Sequence, residues 1–173
     1  MNRDLFALAA AYVPWGDGDQ HAHLITSPDH AMELKGKTLG TTDWWTLDQP
    51  QIDLFNRLDE IASPWTRATG EAQSRPRPVS ESSINQYLLW LVVGPLQSQL
   101  VRASAGSVTM AIVQSVHYPA LAGIGSRLIG VAVLSEIGRL GMDGVLLHVR
   151  FQVKAGTHIE PACVADVSLR CQF

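Results

Sequence analysis

The sequence predicts an α+β fold in which one buried helix is enclosed by an antiparallel sheet. The first observation is residues 80–101, where apolar residues recur at helical spacing and residues 88–93 are apolar on every side. The second is the series of strand-like segments that follows, joined by short connections. Because short connections join antiparallel neighbours, the last three segments predict a meander.

The buried helix is predicted over residues 82–101. The serines and Glu81 at its start are suitable N-cap and first-turn residues. Gly94-Pro95 removes one N–H donor and predicts a kink or a stop. The uninterrupted apolar run is shorter than the roughly 20 residues that a membrane span needs, so the sequence predicts no membrane insertion.

The chain before the helix divides into two predicted parts. Residues 1–40 predict an N-terminal extension with a short helix and a loop, and residues 41–173 predict one domain. Within that domain, residues 41–46 predict a strand, and Asp48 is expected to cap the amphipathic helix that follows. A polar loop with glycine and prolines is predicted over residues 66–79.

The chain after the helix predicts a curved sheet. Its strands are predicted over residues 107–118, 126–137, 145–154 and 161–173. Alternating polar residues predict that one face of the last strand is exposed to water. Cys163 and Cys171 share this strand at a separation of roughly 26 Å, beyond disulfide reach, so we expect reduced, buried thiols. A long buried helix followed by a sheet that can wrap it is the hotdog arrangement.

Composition and the N-terminal segment bear on nucleic-acid binding and on the location of the protein. The net charge is −3 and no basic cluster is present, which argues against nucleic-acid binding. The N-terminus has only a brief apolar stretch with an early Asp4, a poor signal peptide, so we expect a cytoplasmic protein. No cofactor is expected.

A polar loop near the N-terminus brings together side chains that suit metal ions. These are Asp17, Asp19, His21 and His23. Imidazole and carboxylate groups can bind zinc or similar ions. A pair of histidines on a polar loop more often contacts only water, so we predict no metal site.

Two segments carry a resemblance to a known family. LKGKTLGTTDWWTLDQPQIDLF resembles the opening of the MaoC-like dehydratases, the relatives of (R)-specific enoyl-CoA hydratases, which commonly contain Q-x-x-I-D-x-F. His117-Tyr118-Pro119-Ala120 and the following IGSRL resemble that family's R-F-P-A-P-V-x-V-G-S-R-L segment. The resemblance covers about residues 34–173. It implies a hotdog fold, an acyl thioester such as acyl-CoA as ligand, and assembly as a homo-oligomer or with a catalytic hotdog subunit.

The resemblance also implies where catalytic groups would lie. In the family an Asp and a His, in a pattern like G-D-x-x-x-x-H, position and activate one water. A backbone N–H at the start of the central helix holds the thioester carbonyl. Counted without gaps from Phe55, the Asp and His positions hold Ile61 and Thr66, which cannot act as acid or base near neutral pH.

Other residues are weaker candidates for the same site. Asp59 and Glu60 could replace the missing catalytic pair, although solvated acids in the last turn of a surface helix are the simpler interpretation. Asn85 and Gln86, together with Thr66, are candidates for substrate binding at the start of the central helix. At Gln86 a larger side chain replaces the glycine that lets substrate approach the helix backbone in relatives.

Two histidines complete the list of candidates. His117 stands where relatives usually carry a basic residue, so it is a candidate for contacting an acyl-CoA phosphate, a partner subunit or only water. It is also the third fallback catalytic residue. His148 lies in the middle of a predicted strand, where a hydrogen-bonded sheet histidine is the simpler interpretation.

Two functional hypotheses follow. In the first, the protein binds an acyl thioester without catalysing hydration, or completes the tunnel of an active partner. In the second, it is an (R)-specific 2-enoyl-CoA hydratase or dehydratase with an altered catalytic set. The missing Asp and His favour the first.

Overall fold

The computed structural model describes residues 21–62, 80–104, 106–156 and 158–173. The strands are β1 (His21–Ala22), β2 (Leu24–Ile25), β3 (Thr38–Thr41), β4 (Trp45–Thr46), β5 (Arg102–Ala103), β6 (Ser107–His117), β7 (Arg127–Leu140), β8 (Gly144–Ala155) and β9 (Cys163–Gln172). The helices are α1 (Pro28–Glu33), α2 (Gln49–Ala62), α3 (Glu81–Leu91) and α4 (Gln97–Leu100). A π-helical turn (Val92–Leu96) joins α3 to α4, and these three elements together are the central helix.

One sheet forms the body of the fold. Its strand order is β1-β3-β7-β8-β9-β6, with β4 also pairing with β7 and every pair antiparallel. The meander predicted for the last three strands is therefore confirmed as β7-β8-β9. The other long strand, β6, pairs with β9 and is the last strand of the sheet among the described residues. Strands β2 and β5 form a separate parallel pair.

The described part of the predicted N-terminal extension contributes to this sheet. Strand β1 pairs with β3, and β3 pairs with β7. Helix α1 begins after Ser27, whose side chain accepts a hydrogen bond from the N–H of His30. The predictions that fall on residues 1–20 and on the loop over 66–79 lie outside the described residues.

The central helix packs its apolar face against one side of the sheet, here called the inner face. Its fully buried side chains are Leu88, Leu91, Val92, Leu96 and Leu100, and they share one core with the strands. The predicted buried helix is therefore confirmed. None of the helices in the described part of the chain is long and apolar enough to cross a membrane.

The proline in the central helix widens a turn and does not end the helix. Pro95 has no N–H to donate to the carbonyl one turn earlier. The N–H of Gln97 instead reaches the carbonyls of Val92 and Gly94, and Ser98 donates its hydroxyl to the carbonyl of Pro95 at 3.0 Å. The helix then continues to Leu100, so the expectation of a kink or stop is resolved as a π-helical turn.

The prediction of one continuous strand over residues 41–46 is wrong in detail, because these residues are divided between β3 and β4. Between them the buried Thr42 makes three hydrogen bonds. Its N–H donates to the carbonyl of Gly130, its hydroxyl accepts from the N–H of Gly130, and that hydroxyl donates to the carbonyl of Asp43. A side chain that bonds the backbone in this way competes with a regular ladder.

Strand β9 confirms one prediction and corrects another. Cys163 and Cys171 are free and buried on the inner side of the strand, as expected. Burial raises the pKa of Cys163 to about 12. The predicted wet face is interrupted at Ser168, which is only 2% exposed and bonds the ring of His148 on the neighbouring strand.

Candidate functional site

The start of the central helix offers backbone donors. Ser80 caps the helix by accepting a hydrogen bond from the N–H of Ser83 at 3.2 Å. The amides of Glu81 and Ser82 have no acceptor within the residues that the structure describes. N–H groups in a first turn, at the positive end of a helix dipole, suit a carbonyl oxygen that gains negative charge.

The two polar candidates on this helix lie one turn further along. The helix begins at Glu81, so Asn85 lies in the second turn and not in the first. Asn85 is half-buried and Gln86 is exposed. The amides of Glu81 and Ser82 therefore lie closer to the helix end than either side chain does.

Helix α2 is held beside the central helix by an aromatic cluster. The ring centroids of Phe55 and Tyr87 lie 5.8 Å apart, those of Phe55 and Trp90 lie 5.8 Å apart, and those of Tyr87 and Trp90 lie 5.9 Å apart. At the other end of α2, Asp48 accepts from the N–H of Gln51 while the Gln51 side chain accepts from the N–H of Asp48. The predicted Asp48 cap is confirmed as a reciprocal capping box.

The candidate residues between these two helices are only partly placed. Asp59, Glu60 and Ile61 belong to the last turns of α2, and their side chains lie outside the described part of the structure. Thr66 lies outside the described residues altogether. The roles assigned to these four residues stay predictions.

His117 lies on the opposite side of the sheet from the central helix. In the register of β6 with β9, Val116 faces the buried Ala165, whereas His117 faces Val164. Because side chains alternate along a strand, His117 points away from the core. The structure does not bring it together with Asn85 or the helix start.

His148 is a hydrogen-bonded sheet histidine, as predicted. Its Nδ1 lies 3.0 Å from the hydroxyl of Ser168 and 3.3 Å from Nε2 of Gln114. Like His117, it lies on the face of the sheet turned away from the helix, which we call the outer face. These contacts explain the position of the ring without a catalytic role.

An ion pair crosses the same outer face. Arg150 donates from Nε to Oδ1 of Asp166 at 2.8 Å and from Nη2 to Oδ2 at 3.2 Å, and Ser115 donates to Oδ2 at 3.0 Å. The hydrogen bond from Arg150 is the main reason that the pKa of Asp166 lies below its usual value, and Ser115 and nearby His117 act in the same direction. This network ties β6, β9 and β8 together.

A groove of about 620 Å³ lies at the other end of the central helix. Its walls include Leu24, Gln97, Val101, Arg102 and Val108. It is therefore separate from the first-turn amides at the helix start.

The described residues bring no metal-binding group together. Nowhere in residues 21–62, 80–104, 106–156 and 158–173 do three or more His, Cys, Asp or Glu side chains gather closely enough to hold an ion. His21 belongs to β1 and His23 donates its N–H to the carbonyl of Leu39, whereas Asp17 and Asp19 lie outside the described residues.

One group of side chains was not predicted from the sequence. Trp44 is 45% exposed, and Cζ of Arg127 lies 5.4 Å from its ring centroid. The signal was the adjacent pair Trp44-Trp45, because neighbouring strand residues point to opposite sides and both cannot be buried in one core. Trp45 is the buried member, at 4% exposure.

Comparison with solved structures identifies the fold. The chain matches a MaoC-like dehydratase from Rhodospirillum rubrum with a TM-score of 0.53 and 10% identity, over 76% of this chain and 88% of that one. It matches the unliganded R-hydratase PhaJ1 from Pseudomonas aeruginosa with a TM-score of 0.51 and 10% identity, over 82% and 84% of the two chains. No family model and no curated protein matches the sequence. The chain thus has the hotdog fold of MaoC-like dehydratases and (R)-hydratases, as the sequence resemblance implied.

Proposed function

We propose that this hotdog protein binds an acyl thioester such as acyl-CoA at the start of its central helix and does not catalyse the usual hydration. The observation that carries the proposal is the distribution of histidine. All six histidines lie at or before His30 or at or after His117, so α2, the central helix and the loop between them contain none. His117 and His148 lie on the outer face. These three segments therefore supply no imidazole that could activate a water at the helix start.

Binding does not depend on the missing pair. The first-turn N–H groups of Glu81 and Ser82 can donate to the thioester carbonyl, and the positive end of the helix favours the partial charge on that oxygen. These groups polarise a carbonyl but accept no proton. The arrangement therefore supports retention of a thioester without acid–base chemistry.

We also propose that the protein forms a dimer with a second copy of itself. Strand β6 ends the sheet, and no strand of the described chain pairs with its other edge. Met110 and Ile112 on this strand are 44% and 57% exposed. A long unpaired edge is a liability that sheet continuation between two copies removes. Two bulges in β6 limit regular pairing to short stretches, which favours one specific partner over open-ended association.

The thioester site is tested by removing one backbone donor. Ser80 has an extended conformation (φ −95°, ψ 156°), which is compatible with a following proline, and proline is well tolerated as the first residue of a helix. Glu81→Pro therefore removes an N–H and should leave the helix intact. Glu81→Ala is the matched control, because it removes the side chain and keeps the donor.

Isothermal titration with a saturated acyl-CoA measures the effect. A lost hydrogen bond to a partly charged oxygen is worth about 1.5 kcal/mol, so we expect Glu81→Pro to bind about tenfold more weakly than Glu81→Ala. Wild-type protein that binds no acyl-CoA at millimolar concentration would refute the proposed ligand. Equal affinity of the two variants would refute the proposed role of this amide.

In keeping with the two free thiols, we place the protein in a reducing compartment, the cytoplasm.

A further inference from the structure

The backbone at Trp44 is fixed by hydrogen bonds of Thr42 before it and by the strand pairing of Trp45 after it. Thr42 exchanges two backbone-fixing hydrogen bonds of 2.9 Å with Gly130, and Trp45 stands opposite Leu128 in the ladder of β4 with β7. Because Trp45 and Leu128 are both buried, Trp44 faces the other side of the chain. Its indole ring is thus exposed on a fixed backbone.

One cation contacts this ring, and a second lies on the same outer face on the next strand. Arg127 covers one side of the indole, with Cζ 5.4 Å from the ring centroid. Lys154 stands opposite Ile129, so it is the diagonal neighbour of Arg127. The Cα atoms of such a pair are typically about 7–8 Å apart. Both cations are exposed, and neither forms an ion pair with a carboxylate of the described residues. Even Asp43, adjacent to Trp44 in the chain, pairs with neither.

We propose that Trp44, Arg127 and Lys154 form a surface site for a purine nucleotide. The open part of the indole ring stacks with the purine, as aromatic side chains do with nucleic-acid bases. Arg127 continues the stacked surface, because a guanidinium packs flat against rings, and together with Lys154 it contacts the phosphates. An exposed tryptophan thus matches the base of such a ligand. Two cations on the same face, without an ion pair among the described residues, match its phosphates.

Two sources share this ligand chemistry. One is a free nucleotide such as ADP, and the other is the nucleotide part of a CoA thioester. The site lies on the outer face, whereas the central helix packs against the inner face. The inference therefore does not depend on the proposed thioester site, and it can be tested separately.

The test is isothermal titration of the wild-type protein and its variants with ADP. Loss of one stacked base typically weakens binding by 1–3 kcal/mol, so we expect Trp44→Ala to bind ADP about tenfold or more weakly. Trp44→Phe should retain most of the affinity because it keeps an aromatic face. Lys154→Ala should weaken binding several-fold, and the matched control Lys35→Ala, also an exposed lysine, should not.

Further arms separate the ligand sources. If Trp44→Ala also weakens binding of CoA, the site holds the nucleotide part of CoA, and if it weakens only ADP binding, the ligand is a free nucleotide. Pyrophosphate that binds as tightly as ADP would overturn the purine contact. Absence of ADP and CoA binding at millimolar concentration would overturn the proposal, as would unchanged affinity in Trp44→Ala with an unchanged melting temperature.

Discussion

Gly130 of β7 lies directly beneath Leu96 of the central helix, so closely that a Cβ on Gly130 would be 2.4 Å from Cδ2 of Leu96. Leu96 is the last residue of the π-helical turn and is fully buried. The helix therefore crosses the sheet where the strand lacks a side chain. The same glycine bonds Thr42, so one position fixes both the helix and the connection that carries Trp44.

Gly130→Ala should destabilise the protein by about 1–3 kcal/mol, the usual cost of overpacking a core. The added methyl would also lie 3.2 Å from Cγ2 of Thr42, so Leu96 has little room to move. Chemical denaturation measures the change. In the control Gly138→Ala the nearest atom is 4.0 Å away, so stability should be equal or slightly higher. Equal stability of the two variants would show that the crossing is loosely packed.

Leu91→Ala should destabilise by about 2–5 kcal/mol, because it removes a fully buried side chain from the centre of the core. Met142→Ala is the control, since Met142 is 88% exposed in the β7–β8 turn and should change stability by less than about 0.5 kcal/mol. Equilibrium unfolding in urea gives both values. Similar losses would mean that the core is wrongly placed.

Asp166→Asn should change how the free energy of unfolding depends on pH at acid pH. Arg150 and Ser115 lower the folded-state pKa of Asp166 below its ordinary value of 3.8, so the unfolded chain takes up a proton first as the pH falls. The stabilisation is present above pH 3.8 and is lost as the pH falls through the lower folded-state pKa.

Denaturation midpoints between pH 7 and pH 3 test this effect. The wild-type protein should be more stable than Asp166→Asn at pH 7, and the difference should shrink below about pH 4. Asp29→Asn removes the carboxylate of an exposed ion pair with Arg139 and should change little, because exposed pairs contribute little. A difference for Asp166→Asn that is constant with pH would contradict the assignment.

The protein should be at least a dimer at micromolar concentration. Ile112→Lys places a charge on the exposed edge strand β6 and should yield monomers, because edge lysines oppose strand pairing. Light scattering gives the mass. Met142→Lys, a charge at an exposed position away from β6, should leave the dimer intact. If the wild-type protein is a monomer at this concentration, the proposed dimer is wrong.

The sequence predicted the fold well because its two signals are strong and local. Apolar spacing defined the central helix, and short connections defined the β7-β8-β9 meander. The π-helical turn was not predicted, because a proline signals a break and only packing decides that the helix continues. The split between β3 and β4 depends on Thr42 bonding Gly130, a contact 88 residues apart. No local pattern contains that information.

The candidate site was predicted less completely for the same reason. The absence of histidine between α2 and the central helix can be read directly from the sequence. The side on which His117 lies depends on the register of β6 with β9, where two bulges shift the alternation. The stacking of Arg127 on Trp44 requires two segments distant in the chain to meet.

The most direct test of the account is a hydration assay with crotonyl-CoA beside a binding titration with a saturated acyl-CoA. We expect binding with hydration very slow or undetectable, since losing the acid and base removes about 10²–10⁴-fold of catalysis. Restoring the pair with Ile61→Asp and Thr66→His should raise the hydration rate. Turnover of the wild-type protein at about 1 per second or more would contradict the account. It would direct the search to Asp59, Glu60 and His117.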